Sequence, residues 1–214
     1  MKLILTAIVA TTGAFGLNKY QIAQHYSVIH GMPISTSYEH IDAPVVATNN
    51  DTPRAVPCKP VKVDYNYRIT NHSVITGHVI DEHLKGVLKG KGDVIIEAAR
   101  KNNICPIFLT AVIMHESACG TSKFARDRNN VAGIYRNKGY CRFDSVNECI
   151  EFTAKLLGGK LYGGGRNNTI DRVQAVYCPV GAKNDPQGIN KYWRNGVLKY
   201  MKTIFGNTVY VHSN

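Results

Sequence analysis

The segment PIFLTAVIMHES (106–117) constrains this chain more than any other. From Ile107 to Met114 its one polar residue is Thr110, so a helix over these positions is apolar nearly all round. Such a helix cannot lie on a surface; it must run through a core and be wrapped by other elements. Pro106 suits its first turn, where a missing N–H costs nothing. The run ends abruptly at His115, Glu116 and Ser117, with Cys119-Gly120 closing it. A carboxylate at a helix C-terminus opposes the macrodipole, so stability alone does not favour Glu116 there. Partial desolvation at such a place raises a carboxyl pKa, which is a requirement of acid chemistry near neutral pH.

Elements able to wrap a core helix surround this one in the sequence. HVIDEHLKGVL (78–88) carries Val79, Ile80, Leu84, Val87 and Leu88 at helical spacing and ends at Gly90. GDVIIEAARKNN follows, with Asp93 near its start. GIYRNKGYCRF (133–143) reads as a hairpin of two short aromatic-bearing arms around Asn137, Lys138 and Gly139. SVNECIEFTAKLLGG opens on the capping box Ser145-x-x-Glu148 and ends on Gly158-Gly159. NNTIDRVQAVY predicts a short helix, and Asp185 and Pro186 read as the N-cap and first residue of a long terminal one. Ile189, Trp193, Val197, Tyr200 and Ile204 form one stripe of that last helix, which assigns Trp193 to core packing. The expected fold class is α+β, predominantly helical, with one small β-hairpin lobe.

The N-terminal third has another texture. MKLILTAIVATTGAFG has the charged, apolar and small-residue order of a secretory signal, predicting residues 1–16 as a leader. Its apolar run falls short of the ~20 residues of a stable membrane span. Five of the eight prolines lie between Pro33 and Pro60, so residues 17–73 read as an extended arm, with a strand conceivable at 61–69. The main domain is then expected at 74–206, with a tail at 207–214.

A net charge of +11 calls for an acidic partner. Nucleic acid, anionic membrane and anionic cell-wall polymer all qualify by charge, and export argues against nucleic acid. Six cysteines (Cys58, Cys105, Cys119, Cys141, Cys149 and Cys178) in an exported chain suggest disulfides of undetermined pairing. Neither C-x-x-C nor H-x-x-x-H spacing occurs, so no metal site and no cofactor are expected.

Taken together, Glu116-Ser117 at a helix end, Gly120-Thr121-Ser122, Ala125 and Asn129-Asn130-Val131-Ala132-Gly133-Ile134 carry a resemblance. So do FDSVNECIEFTAKLL and VYCPVGAKNDPQGI further on. Over about 74–206 the chain resembles the N-acetylglucosaminidase (mannosyl-glycoprotein endo-β-N-acetylglucosaminidase-like) domains of bacterial autolysins, flagellar muramidases and phage lysins. The resemblance implies a lysozyme-like fold and cleavage of the β-1,4 bond after N-acetylglucosamine in peptidoglycan, with Glu116 as general acid. It implies glycan strands and an anionic wall surface as partners. The location would be the periplasm, the cell wall or the extracellular space, in a bacterial or phage-encoded setting.

Tyr177 matches a later family tyrosine that lines the active site, although a core tyrosine would look the same. Tyr135 and Tyr140, on the hairpin, are expected sugar contacts, because a two-stranded lobe cannot bury every side chain. Asn129 and Asn130 either fix their loop or, for Asn130, reach the substrate. Family members often place a second acid in the hairpin lobe, and Gly133–Phe143 has none. Of the acids that follow Glu116, capping explains Glu148 and Asp185, flanking arginines explain Asp127, and an early helix turn explains Asp171. Asp144 and Glu151 stay as possible second carboxylates. The reading that follows is a single acid assisted by the substrate's own 2-acetamido group. Two alternatives stand beside it: a lytic transglycosylase, which would carry Gly-Leu-Met-Gln where this chain has NNVAGIY, and a non-catalytic wall-binding or virion component, which has no need of Glu116.

Overall fold

A computed structural model describes residues 45–46, 54–55, 58–73, 75–136, 139–183 and 185–212. The expected leader and most of the expected arm lie outside these residues. Two short strands, β1 (Val45–Val46) and β2 (Arg54–Ala55), pair with each other. β3 (Cys58–Lys62) is followed by the helices α1 (Gly77–Asp81), α2 (Gly92–Lys101), α3 (Pro106–Ser117) and α4 (Lys123–Arg128). The hairpin strands β4 (Tyr135–Arg136) and β5 (Gly139–Tyr140) come next, then α5 (Val146–Gly158), α6 (Ile170–Tyr177), α7 (Trp193–Phe205) and β6 (Thr208–His212). The architecture is α+β and predominantly helical, as the periodicities predict.

The apolar helix α3 is the core. Every residue from Pro106 to Met114 is buried, and the helix is packed by α7, α2 and α5. α2 bridges to α1 on one side and α5 on the other. α5 starts at the predicted Ser145-x-x-Glu148 signature, with the reciprocal bond shifted one residue ahead of the N-cap. Ser145 Oγ accepts from the Glu148 N–H at 3.1 Å, and the Glu148 carboxylate reaches back to the Asp144 N–H at 2.8 Å.

Three expectations need correcting. The helix expected over 78–88 stops at Asp81, and Gly86–Leu88 is a separate 3-10 turn. The cause is tertiary: the Lys85 and Val87 N–H groups donate to the carbonyls of Cys119 and Gly120, tying this segment to the turn after α3. The terminal helix starts at Trp193 rather than Pro186, preceded by a 3-10 turn at Ile189–Tyr192. Asp185 therefore caps no α-helix; its buried carboxylate accepts from the N–H groups of Gly181, Ile189 and Asn190 and closes the loop on itself. Ile189, assigned to the core stripe, is left 61% exposed by that loop.

The third correction concerns the proline-rich arm, whose last part belongs to the globule. β3 pairs antiparallel with β6, Pro60 facing Tyr210, so a proline that argues against a central strand sits in a two-stranded edge pair. Behind it Val63, Tyr67 and Ile69 are buried in the common core. The Ile69 carbonyl accepts from the Cys105 N–H, just ahead of α3.

Among the described side chains the cysteines do not form the disulfides that an exported chain suggests. Cys105, Cys119, Cys141, Cys149 and Cys178 are free thiols. Cys105 is buried within 3.3 Å of the Tyr67 hydroxyl and 3.4 Å of the Ser73 hydroxyl, a packing role that needs no partner sulfur.

Candidate active site

Glu116 lies in the last turn of α3, and the chain beyond it is held firmly. Ser117 Oγ donates to the Ile113 carbonyl at 2.6 Å and accepts from the Gly120 N–H at 2.8 Å. Ala118, Cys119 and Gly120 have successive φ values of 50°, 57° and 90°, a left-handed turn that reverses the chain. Two of these are not glycine, so the turn carries backbone strain, and the Met114 and Ser117 carbonyls hold it closed. The result is a helix end with little freedom to fray.

α7 crosses this helix end closely. A Cβ on Gly196 would stand 2.2 Å from His115 Cε1, so only glycine lets the imidazole settle there. His115 fills the gap between the edges of Trp193 and Tyr200, at centroid distances of 6.5 and 6.4 Å. Burial holds its pKa below the usual histidine value, which keeps the ring neutral and makes it a packing group.

The same crossing sets the carboxyl. The Trp193 indole N–H donates to Glu116 Oε1 at 2.8 Å, from a ring only 3% exposed. On the other side is Gly133, at φ 62°, where a Cβ would come within 3.1 Å of Glu116 Oε2. Tyr177 completes the wall: its ring centroid is 5.4 Å from that of Trp193 and its hydroxyl donates to the Ala132 carbonyl at 3.2 Å. In this enclosure the Glu116 pKa rises from 4.5 to about 7. Burial is the dominant cause, and the Trp193 hydrogen bond pulls weakly the other way by favouring the ionised form. Among the described residues no carboxylate contributes to the shift.

What this arrangement can do is deliver one proton near neutral pH from a fixed oxygen. The sequence points the same way, since residues 92–205, over half of the chain, match the family described as glucosaminidase, mannosyl-glycoprotein endo-beta-N-acetylglucosaminidase. The chain belongs to this family. No curated protein matches it. Among solved structures it is similar to S. aureus autolysin E in complex with a muropeptide, with a TM-score of 0.55 and 18% identity, covering 68% of this chain and 73% of that one. A catalytic mutant of the same autolysin, in complex with the disaccharide NAG-NAM, gives a TM-score of 0.55 at 18% identity over 67% and 72% of the two chains. At such identities the likeness is one of fold.

Within this glucosaminidase-family domain the other expected site residues divide. Asn130 is 1% exposed and fully engaged: its amide donates to the carbonyls of Ile134 and Cys141 and accepts from the Ile134 N–H. It anchors the hairpin and has no group left for a sugar, so its expected substrate contact is withdrawn. Tyr135 and Tyr140 face each other across the hairpin, both exposed, with ring centroids 5.1 Å apart. Tyr177 is at the carboxyl.

The acids sort cleanly. Asp127 pairs with Lys123 at 2.8 Å, Asp171 pairs with Arg194, and Asp185 is consumed by its three N–H groups. Glu151 is exposed on α5 on the side near Lys101, the surface that α5 shares with α2. Asp144 is exposed just before α5, and its backbone, not its carboxylate, is held by Glu148 and Asn129. Neither perturbs Glu116.

Two contacts escape the sequence reading. Trp193 is a core residue as expected, yet its N–H is the partner of the acid; the signal was present, because a buried indole has a donor to satisfy. Phe124, on α4, stacks on Tyr140 with centroids 4.2 Å apart, and nothing in its own segment pairs it with a hairpin tyrosine.

Proposed function

We propose that this chain is an exported peptidoglycan hydrolase that cleaves the β-1,4 glycosidic bond after N-acetylglucosamine, with Glu116 as general acid. The observation that carries this reading is the Glu116 carboxyl, walled by Trp193, Tyr177 and Gly133 and holding a pKa of about 7. An alkoxide is a poor leaving group, so the glycosidic oxygen must receive a proton as the bond breaks. A carboxyl with that pKa is protonated often enough at neutral pH to supply it.

The anomeric carbon then needs a nucleophile, and among the described residues no second carboxylate contributes to the Glu116 environment. The substrate's 2-acetamido oxygen fills the role: it attacks the anomeric carbon as Glu116 protonates the leaving oxygen, giving a cyclic oxazolinium intermediate. Glu116, now ionised, takes a proton from the water that opens this intermediate, and the sugar leaves with retained configuration. Tyr177 suits the support of that step. With its own proton given to Ala132, its oxygen is free to accept from the acetamido N–H and aim the group.

The wall as partner agrees with the excess of 26 Lys+Arg over 15 Asp+Glu, and the family match supports a glycosidase over a binding component. The test is mass spectrometry of fragments released from purified peptidoglycan. Reducing N-acetylglucosamine ends are expected; 1,6-anhydromuramic ends would assign the chain to the lytic transglycosylase reaction instead.

A further inference from the structure

The stretch that joins α6 to α7 folds back on itself. The Asp185 carboxylate, 3% exposed, accepts from the N–H groups of Gly181 at 3.3 Å, Ile189 at 2.7 Å and Asn190 at 3.2 Å. The Asn190 amide donates to the Pro179 carbonyl at 3.0 Å, and the Gln174 amide donates to the Asn190 carbonyl at 2.6 Å. These bonds set the backbone at 179–181 against that at 189–190 and fasten both to α6. Val180 and Ile189 therefore stand on one braced rim, 58% and 61% exposed. Tyr192, also 58% exposed, lies three residues beyond Ile189 in the same 3-10 turn, where side chains at i and i+3 share one side.

A buried carboxylate is thus spent on holding two β-branched side chains in water. There they add nothing to the core, and contiguous exposed apolar surface marks interaction. The free charges beside it have one sign. Lys183 and Lys191 are exposed, and Lys191 Nζ lies 5.0 Å from the Tyr192 ring centroid. Asp185 is buried under the rim and Asp171 is taken by Arg194. Neither lysine has an acid partner among the described residues.

Charge and side-chain type together select the occupant. A second copy of the chain would bring the same lysines and a net charge of +11 against them. A bilayer with anionic headgroups meets every feature. Its acyl boundary takes Val180 and Ile189, its headgroup layer suits the half-polar ring of Tyr192, and its phosphates face the two ammonium groups. We infer that the Val180–Ile189–Tyr192 rim is a peripheral docking surface for an anionic lipid bilayer. No helix among the described residues is long and apolar enough to cross a membrane, so this attachment is superficial and reversible. It is independent of the Glu116 reading, because a lipid surface offers no glycosidic bond.

The test is flotation of the protein with phosphatidylglycerol vesicles and, separately, with phosphatidylcholine vesicles. Residues 1–16, the expected leader, are left out, because their own apolar run would bind lipid. Binding to the anionic vesicles is expected, with little to the neutral ones and loss as salt rises. Val180→Ser/Ile189→Ser is expected to weaken it roughly tenfold, and Lys183→Gln/Lys191→Gln about fivefold. All four side chains are exposed, so unfolding midpoints should stay at the parent's value. Anionic binding that is unchanged in Val180→Ser/Ile189→Ser would overturn the surface, as would equal binding to both kinds of vesicle. A protein that ignores vesicles yet dimerises, with the dimer lost in Val180→Ser/Ile189→Ser, would give the rim to a second copy instead.

Discussion

The indole N–H of Trp193 donates to the carboxyl of Glu116 at 2.8 Å, joining the end of one buried helix to the start of another. The contact fixes the acid in space but favours its ionised form, so the raised pKa of Glu116 exists in spite of its partner and because of burial. Replacing Trp193 with Phe removes the donor and keeps a ring. The Glu116 pKa should then rise above about 7, moving the alkaline limb of the rate-against-pH profile upward, while kcat falls because the oxygen is no longer held. A profile that does not move, or moves down, would contradict this account.

Burial of Glu116 costs stability in a definite pH window. Its pKa is raised on folding, so between 4.5 and about 7 the native state binds more protons than the unfolded chain, and stability falls as pH rises through that window. Glu116→Gln removes the ionisation and keeps an oxygen for Trp193. The variant should match wild type near pH 4 and exceed it at pH 8 by about 3 kcal/mol, read by denaturant unfolding at the two pH values. Equal stability at pH 8 would mean the carboxyl is not desolvated.

Gly133→Ala is expected to reduce kcat sharply without unfolding the protein. The added Cβ comes within 3.1 Å of Glu116 Oε2, and φ is 62°, where a side chain is strained. The loss in activity should exceed what the modest fall in unfolding midpoint explains.

Much of this was legible in the sequence, and the misses have causes. The core helix, the hairpin, the capped helix α5 and the place of Glu116 at the end of α3 follow from local pattern, where periodicity and capping chemistry act within a few residues. Trp193 was assigned correctly to the core, but its donation to Glu116 joins residues 77 positions apart, which no local pattern encodes. Asn130 looked like a loop residue near a cleft; only the hairpin geometry reveals that both ends of its amide are spent. Val63, Tyr67 and Ile69 were hidden by the prolines around them, although they form part of the same core as α3.

That last point is testable by truncation. Removing residues 1–73 should expose α3 and strip β6 of its partner strand, giving a protein that unfolds well below the full chain. The point substitution Tyr67→Ala should cost about 3 kcal/mol or more by itself, since it empties a core site and removes one of the two hydroxyl contacts of Cys105. A truncated protein as stable as the parent would show that the segment is only a tether.

Substrate assistance makes its own demand. Glycan strands whose glucosamine residues are N-deacetylated lack the internal nucleophile and should resist cleavage, although they still carry the bond and its leaving group. Equal turnover of acetylated and deacetylated strands would require a nucleophile from the protein.

The central claim is that Glu116 works without a second carboxylate. Its most direct test is the rate of reducing-end release from purified peptidoglycan by Glu116→Gln, Asp144→Asn and Glu151→Gln, assayed side by side. The account predicts a fall of roughly 10²- to 10⁴-fold for Glu116→Gln and near wild-type rates for the other two. Loss in either Asp144→Asn or Glu151→Gln as deep as in Glu116→Gln would contradict it.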